Sequence, residues 1–277
     1  MKLLSFLIVI FVIYLWLIKP NSNVRKQQMK PFEEVYLTHR GFYDNITIPE
    51  NSIPAFKKTV RNHLGTELDV QLTIDHKLVV FHDDSLERVC GVDKKLIDCS
   101  YEELMGYRLL SSEEKIPLFE EVLEVLDKDT PLIVEIKPNR CAYEACEETI
   151  RILKNYDIRY TMESFDPRVV KYLKDKHPEI IRGQLAYNMF GNKDNHLSAP
   201  LKLIGTCMLL NFITKPDYIA YDVKSRYNPS FMICSLFYKT ECVAWTVQNE
   251  NDLAYARRYC SQIIFDSFIP SDLTVHE

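Results

Sequence analysis

Residues 65–84 read GTELDVQLTIDHKLVVFHDD, and the reading of this stretch decides the fold. Glu67, Leu68, Asp69, Val70, Gln71 and Leu72 alternate with period two, which predicts a strand carrying Glu67 and Asp69 on one face. Residues 78–81, Leu-Val-Val-Phe, predict a second strand rich in β-branched and aromatic side chains. Asp75-His76 between them reads as a two-residue turn, so the two runs fold back as a hairpin. Counting outward from that turn pairs 72 with 79 and 69 with 82, which sets His82 directly across from Asp69. An isolated Glu-x-Asp is most often a solvated feature of an edge strand. Here the flanking runs are apolar, a second histidine lies upstream in THRG (38–41), and a third acidic residue sits in LIVEIK (132–137).

Around this stretch the chain alternates strand-like and helix-like segments. Runs at 35–39, 66–72, 132–137, 160–164, 182–187, 218–222, 242–247 and 262–266 read as strands. Most are followed by an amphipathic helical pattern with a recognisable cap: Asn51-Ser52, Asp166 before Pro167, and Asn249 or Asn251. Eight such units imply parallel pairing and right-handed crossovers, hence an α/β fold of the (β/α)₈ TIM-barrel type. The hairpin strand and the segment up to about residue 112 form a short excursion after strand two, ahead of the helix PLFEEVLEVLDK. His39, Glu67/Asp69 and Glu135/Lys137 all fall at C-terminal ends of strands, where active sites of such barrels assemble. HRGFYDN is not the Gly-rich first turn that a doubly wound sheet would carry.

Composition sets the outer limits. The chain has 277 residues, a net charge of −5, and hydrophobic and charged fractions of 47% and 26%, ordinary for a globular protein. That charge gives no reason to expect nucleic acid as a partner, and any anion site must be a local basic cluster. The eight cysteines lack zinc-ribbon spacing and read mostly as free thiols, with Cys90 and Cys99 close enough in sequence to bridge a hairpin.

Residues 3–18, LLSFLIVIFVIYLWLI, form an uncharged apolar run about 24 Å long as a helix. This is expected to be an uncleaved single-pass transmembrane anchor over residues 1–19; a cleaved signal peptide is the alternative. Residues 20–31 read as a polar, basic linker, and the catalytic domain as 32–277. Lys19, Arg25, Lys26 and Lys30 outnumber Lys2 and the α-amino group, so the positive-inside rule places the domain on the cytoplasmic face of the cell membrane.

Glu67, Asp69 and Glu135 offer three hard oxygen ligands in one cavity, which suits Mg²⁺ or Ca²⁺ and not zinc. Salt bridging to Arg40 and Lys137 is the metal-free alternative. Basic groups beside a divalent cation and two histidines describe a phosphoester site. His39 and His82 can trade protons with an alcohol oxygen near neutral pH. His63, His76, His177 and His196 fall in helix, turn or loop positions and read as surface residues.

The chain from Val35 to about Pro270 resembles the glycerophosphodiester phosphodiesterase family. The resemblance is carried by HRG (39–41), PENS with a following AF (49–56), ELD (67–69), FHDDSLER (81–88), EIK (135–137), SF (164–165) and AWTV (244–247). It implies acid/base roles for His39 and His82, a metal on Glu67, Asp69 and Glu135, phosphate held by Arg40 and Lys137, and a cleft lined by Trp245. Three departures are visible: Asp75-His76 where Asp-Gly is usual, Gln248 where asparagine is usual, and FDSFIP (265–270) where a T-D-x-P pattern is usual. The expected activity is hydrolysis of glycerophosphodiesters to an alcohol and glycerol 3-phosphate. Two other readings are a lysophospholipase D-like enzyme acting on membrane lysophospholipids, and a catalytically inactive, membrane-tethered barrel used as a binding module.

Overall fold

The structure, a computed structural model, describes residues 2–21, 25–33, 35–191 and 197–276; His196 lies outside them. Eight parallel strands close into a barrel: β1 (Leu37–His39), β2 (Gly65–Leu72), β4 (Leu132–Ile136), β5 (Tyr160–Ser164), β6 (Arg182–Ala186), β7 (Tyr218–Asp222), β8 (Glu241–Val247) and β9 (Gln262–Phe265). Closure comes from β1, which pairs with both β2 and β9. β3 (Leu78–Val80) is antiparallel to β2 and stands outside the ring. The expected strands are all present, shifted at their ends by two residues or fewer.

The hairpin register differs from expectation. Val70 pairs with Val80 and Leu72 with Leu78, so the loop holds three residues, Ile74, Asp75 and His76, closed by the Thr73 N–H donating to the Lys77 carbonyl at 3.0 Å. His76 takes the left-handed conformation (φ 58°) that such loops need at their last position. The pairing therefore slips by one residue, and Phe81 rather than His82 lies beside Asp69, its N–H donating to the Asp69 carbonyl at 3.0 Å. His82 lies just past the end of β3 and reaches the barrel mouth from there. After β3 the excursion builds a small core of its own from Val79, Phe81, Leu86, Val89, Leu96 and Leu104.

Helix starts follow the caps read from sequence. Ser52 Oγ accepts the Ala55 N–H, Asp166 accepts the Arg168 N–H, and Asn249 accepts the Asp252 N–H. The barrel floor is filled by Leu37, Ile133, Leu185, Tyr218, Val243 and Ile264. Met29 and Phe32 from the helix Lys26–Glu33 complete this layer and are fully or almost fully buried. Met29, expected in the linker, thus joins Phe32, the first residue expected in the domain, in plugging the barrel floor, where two apolar side chains three apart on one helix leave water together.

The helix Lys2–Ile18 corrects the expectation of a membrane span. It has 17 residues, about 26 Å at 1.5 Å each against a bilayer core of about 30 Å. Among the described residues no helix is long and apolar enough to cross a membrane. Its last turns are also built into the domain. Ile18 is buried with Met208, Ile219 and Phe231, Tyr14 Oη lies 2.6 Å from Ser230 Oγ, and Asn211 Nδ2 donates to the Ile18 carbonyl at 3.0 Å. The side of a membrane argued from the flanking charges has no spanning helix to rest on. All eight cysteines are free.

Candidate active site

Parallel register assembles the acidic cluster. His39 aligns with Glu67 across β1 and β2, and Asp69 aligns with Glu135 across β2 and β4. Period-two alternation turns these side chains into the mouth at the C-terminal ends of the strands. One carboxylate oxygen each from Glu67, Asp69 and Glu135 lies within 4.8 Å of the others, and all three residues are buried.

The two cations expected beside them are there. Lys137 Nζ lies 3.3 Å from Asp69 Oδ1 and 2.8 Å from Glu135 Oε1, and Arg40 Nε lies 3.4 Å from Asp69 Oδ2. Asn51 Nδ2 also donates to Asp69 Oδ2 at 3.0 Å. Burial alone would raise the Asp69 carboxyl, but Lys137, His82, Arg40 and Asn51 together hold it far below the usual carboxylate range. Glu67 fares differently. Among the described residues its side chain accepts only the Arg40 backbone N–H, at 3.2 Å, and burial with Asp69 and Glu135 nearby pushes it well above the usual range. Glu135 is also raised, by burial first, against the pull of Lys137. Lys137 is held charged by Glu135 and Asp69 in spite of its burial. Three buried carboxylates share two cations, one of which also serves Glu50, which leaves an excess of negative charge that an oxygen-ligated divalent cation would neutralise. The donor set fits Mg²⁺ or Ca²⁺.

Each histidine leans on a carboxylate. His39 Nδ1 lies 2.7 Å from Asp266 Oδ2, an oxygen that also accepts from Tyr43 Oη at 3.0 Å, while Gln248 Nε2 donates to Asp266 Oδ1 at 2.7 Å. Burial opposes ionisation of Asp266, but the bonds from His39 and Gln248 keep it below the usual range. His39 itself is lowered, by burial first and then by Arg40, against the pull of Asp266. His82 Nδ1 lies 2.5 Å from Asp83 Oδ1. In both rings Nδ1 is the nitrogen that the carboxylate engages, and His82 lines the cleft.

The cleft is about 1670 Å³ and runs from His82, Lys137 and Trp245 past Phe165 and Tyr187 to Leu201, Ile204 and Met208. Trp245 Nε1 is buried and has no protein partner among the described residues. Every site residue read from sequence thus meets at one end of the barrel. Of the other histidines, His63 and His76 are exposed, and His177 is engaged by Glu147 at 2.7 Å away from the site. Reading the sequence missed Asp266, Asp83, Glu50, Arg88 and the buried Glu163 on β5. Four of these five lie inside quoted motifs and Glu163 directly precedes one, but nothing in linear order says which side chain each one meets.

A family model described as the glycerophosphoryl diester phosphodiesterase family matches residues 39–268. A glycerophosphodiester phosphodiesterase from Caldanaerobacter subterraneus is 34% identical over 54% of this chain and 65% of its own length. A human lysophospholipase D is 31% identical over 44% of this chain and 42% of its own. In each case the match spans less than two thirds of the relative. Among solved structures, a Thermotoga maritima glycerophosphodiester phosphodiesterase superposes with TM-score 0.64 at 26% identity, covering 84% of this chain and 94% of that one. An Oleispira antarctica phosphodiesterase in complex with the product sn-glycerol-3-phosphate shares the fold with TM-score 0.67 at 21% identity, covering 85% and 95%. With the matched span reaching from His39 at the end of β1 to the residues beyond Asp266, the chain belongs to the glycerophosphoryl diester phosphodiesterase family.

Proposed function

We propose that this protein is a metal-dependent phosphodiesterase that hydrolyses glycerophosphodiesters to an alcohol and glycerol 3-phosphate. The supporting observation is the pairing of two carboxylate-braced histidines, His39–Asp266 and His82–Asp83, with the acidic cluster of Glu67, Asp69 and Glu135. Glu67, Asp69 and Glu135 would hold the cation, which when bound supplies Lewis-acid stabilisation of the phosphoryl oxygens. Arg40 and Lys137 bind the phosphate and offset charge that builds on it. One histidine takes a proton from the attacking hydroxyl, whether of water or of the substrate's own glycerol. The other gives a proton to the departing alkoxide, so the pair exchanges roles over a complete turnover. Trp245 lines the path of the substrate, with Nε1 free to donate to it.

A second reading is favoured by the far arm of the cleft. Leu201, Ile204 and Met208 give it an apolar wall that a glycerol headgroup does not need and that an acyl chain would cover. On this reading a lysophospholipid is the substrate and the reaction is of the lysophospholipase D type. Assays of the purified protein on glycerophosphocholine and lysophosphatidylcholine, with and without chelator, test both. Turnover of the first alone sinks the second reading. Metal-dependent turnover of neither leaves a binding module.

A further inference from the structure

Arg88 stands on the short helix Glu87–Cys90 in the excursion after β3, outside the barrel and away from the acidic cluster. Its guanidinium is saturated by two carboxylates. Nε and Nη2 donate to Asp83 Oδ2 and Oδ1 at 2.6 and 3.1 Å. Nη1 and Nη2 donate to Glu50 Oε2 and Oε1 at 2.9 and 2.7 Å. Glu50 comes from the loop after β1, is 4% exposed, and also accepts from Arg40 Nη1 at 2.7 Å and Asn45 Nδ2 at 3.0 Å. Asp83 Oδ1, shared with Arg88, is the atom that meets His82 Nδ1.

We propose that Arg88 is a positioning residue for His82: it braces the Asp83 carboxylate against the β1 loop, so that the imidazole keeps Nδ1 on Asp83 and presents Nε2 to the cleft. The argument is geometric. His82 lies past the end of β3, with no strand ladder to hold its backbone, so its ring direction depends on Asp83. Gln71 Nε2 donates to the backbone carbonyls of Phe81, His82 and Asp83, which fixes the segment but not the Asp83 carboxylate, and Arg88 anchors that. Two bidentate pairs from one planar fork tie it to Glu50, which is itself fixed by three donor residues, Arg40, Asn45 and Arg88. A lysine, as a point charge, could serve one of the two carboxylates and not both. The same fork joins the loop bearing Arg40 to the segment bearing His82, which sets the spacing between the phosphate-binding side and one proton-transfer group. A misplacement of about 1 Å in such a group can lower the rate about 10²-fold.

The proposal rests on His82 being a proton-transfer residue, and the experiment separates the two claims. kcat and KM are measured on glycerophosphocholine and on bis(p-nitrophenyl) phosphate for wild type, His82→Ala, Arg88→Met, Arg88→Lys, and Arg88→Met combined with His82→Ala. Arg88→Met should lower kcat about 10- to 100-fold with KM changed less than about twofold, and Arg88→Lys should fall between it and wild type. In the His82→Ala background Arg88→Met should change residual kcat less than about twofold, because the group it positions is gone. In a further variant, Arg88→Ala, guanidinium ion at tens of millimolar, with sodium at matched ionic strength as control, should restore part of the lost rate. An equal loss in both backgrounds, or no rescue by guanidinium or lysine, makes Arg88 a structural residue and overturns the proposal. Near-wild-type kcat in Arg88→Met overturns it as well. Full activity of His82→Ala removes the acid/base reading and the proposal with it. Where residual activity is too low to compare, or Arg88→Met does not fold, the lysine and guanidinium arms decide.

Discussion

Glu67 is the carboxylate in the cluster with the poorest protein partnership: one backbone N–H, two acidic neighbours and full burial. Burial and its two acidic neighbours therefore disfavour ionisation of Glu67, and a bound cation would favour it. Glu67→Gln, Asp69→Asn and Glu135→Gln are each expected to lower activity more than about 10²-fold while the barrel stays folded. In wild type, saturating cation should raise the melting temperature, by an amount equal to about 2.7 kcal/mol at a hundred times Kd. That gain should disappear in each variant. If chelator alters neither activity nor melting, the metal reading is wrong.

Glu163, on β5 beside Glu135, lies deeper, and burial pushes it up to about 8, with Glu135 and Asp69 adding to the shift against a bond from Tyr218. Between the ordinary value of 4.5 and about 8 the folded state keeps a proton that the unfolded chain has released. Stability tied to this group is complete below the lower value and is lost as pH rises through the upper one, by up to about 1.4 kcal/mol per pH unit. Thermal melts from pH 5 to 8 in chelator should show that decline in wild type and a flatter profile in Glu163→Gln. Parallel profiles would mean that Glu163 does not titrate there.

At the scale of elements, β6 and β7 touch through a missing side chain. A Cβ on Gly183 would stand 2.3 Å from the ring carbons of Tyr218, whose hydroxyl reaches Thr161 Oγ1 at 3.0 Å. Tyr218 is fully buried in the floor of the barrel, with no free volume to retreat into. Gly183→Ala should lose about 1–3 kcal/mol of stability, read by denaturant titration. The change should also loosen the bond to Thr161. A loss below about 0.5 kcal/mol would show that the floor repacks freely. The hairpin makes a complementary point. The one-residue slip at Ile74-Asp75-His76 takes His82 out of the ladder, and hydrogen bonds from side chains then carry the task that strand register was expected to perform.

At the scale of the molecule, the helix Lys2–Ile18 has two unlike halves. Leu3 to Ile13 are exposed on every side, whereas Tyr14, Leu15 and Ile18 pack onto the outer layer over β7 and β8. Removal of residues 2–13 is expected to leave the melting temperature within about 2 °C and to reduce self-association, since it takes away exposed apolar surface. Removal of residues 2–21 should uncover the pocket filled by Ile18 and lose about 2–4 kcal/mol, lowering the melting temperature by roughly 5–15 °C. Equal melting of the two truncations would mean that the helix is not part of the domain.

Strand order, the caps at Ser52, Asp166 and Asn249, and the gathering of the eight expected residues at one end of the barrel were legible in the chain, because each depends on local alternation, local hydrogen bonding or a short motif. Composition and period decided that a parallel barrel would form and which strand ends would carry charge. The hairpin register was not legible, since a left-handed His76 suits the last position of a two-residue type I′ loop as well as of a three-residue one, and only the pairing of Leu72 with Leu78 separates them. Nor was the fate of the apolar run and the basic segment after it. Hydropathy reports the preference for leaving water, but only the tertiary structure supplies the pockets, one on the outer layer for Ile18 and one in the floor for Met29 and Phe32. The partner of His39 and the anchor that braces Asp83 belong to the same class. Asp266 is 227 residues from His39 and Arg88 is 38 from Glu50. Such pairs exist because the barrel closes, and closure is a property of the whole chain.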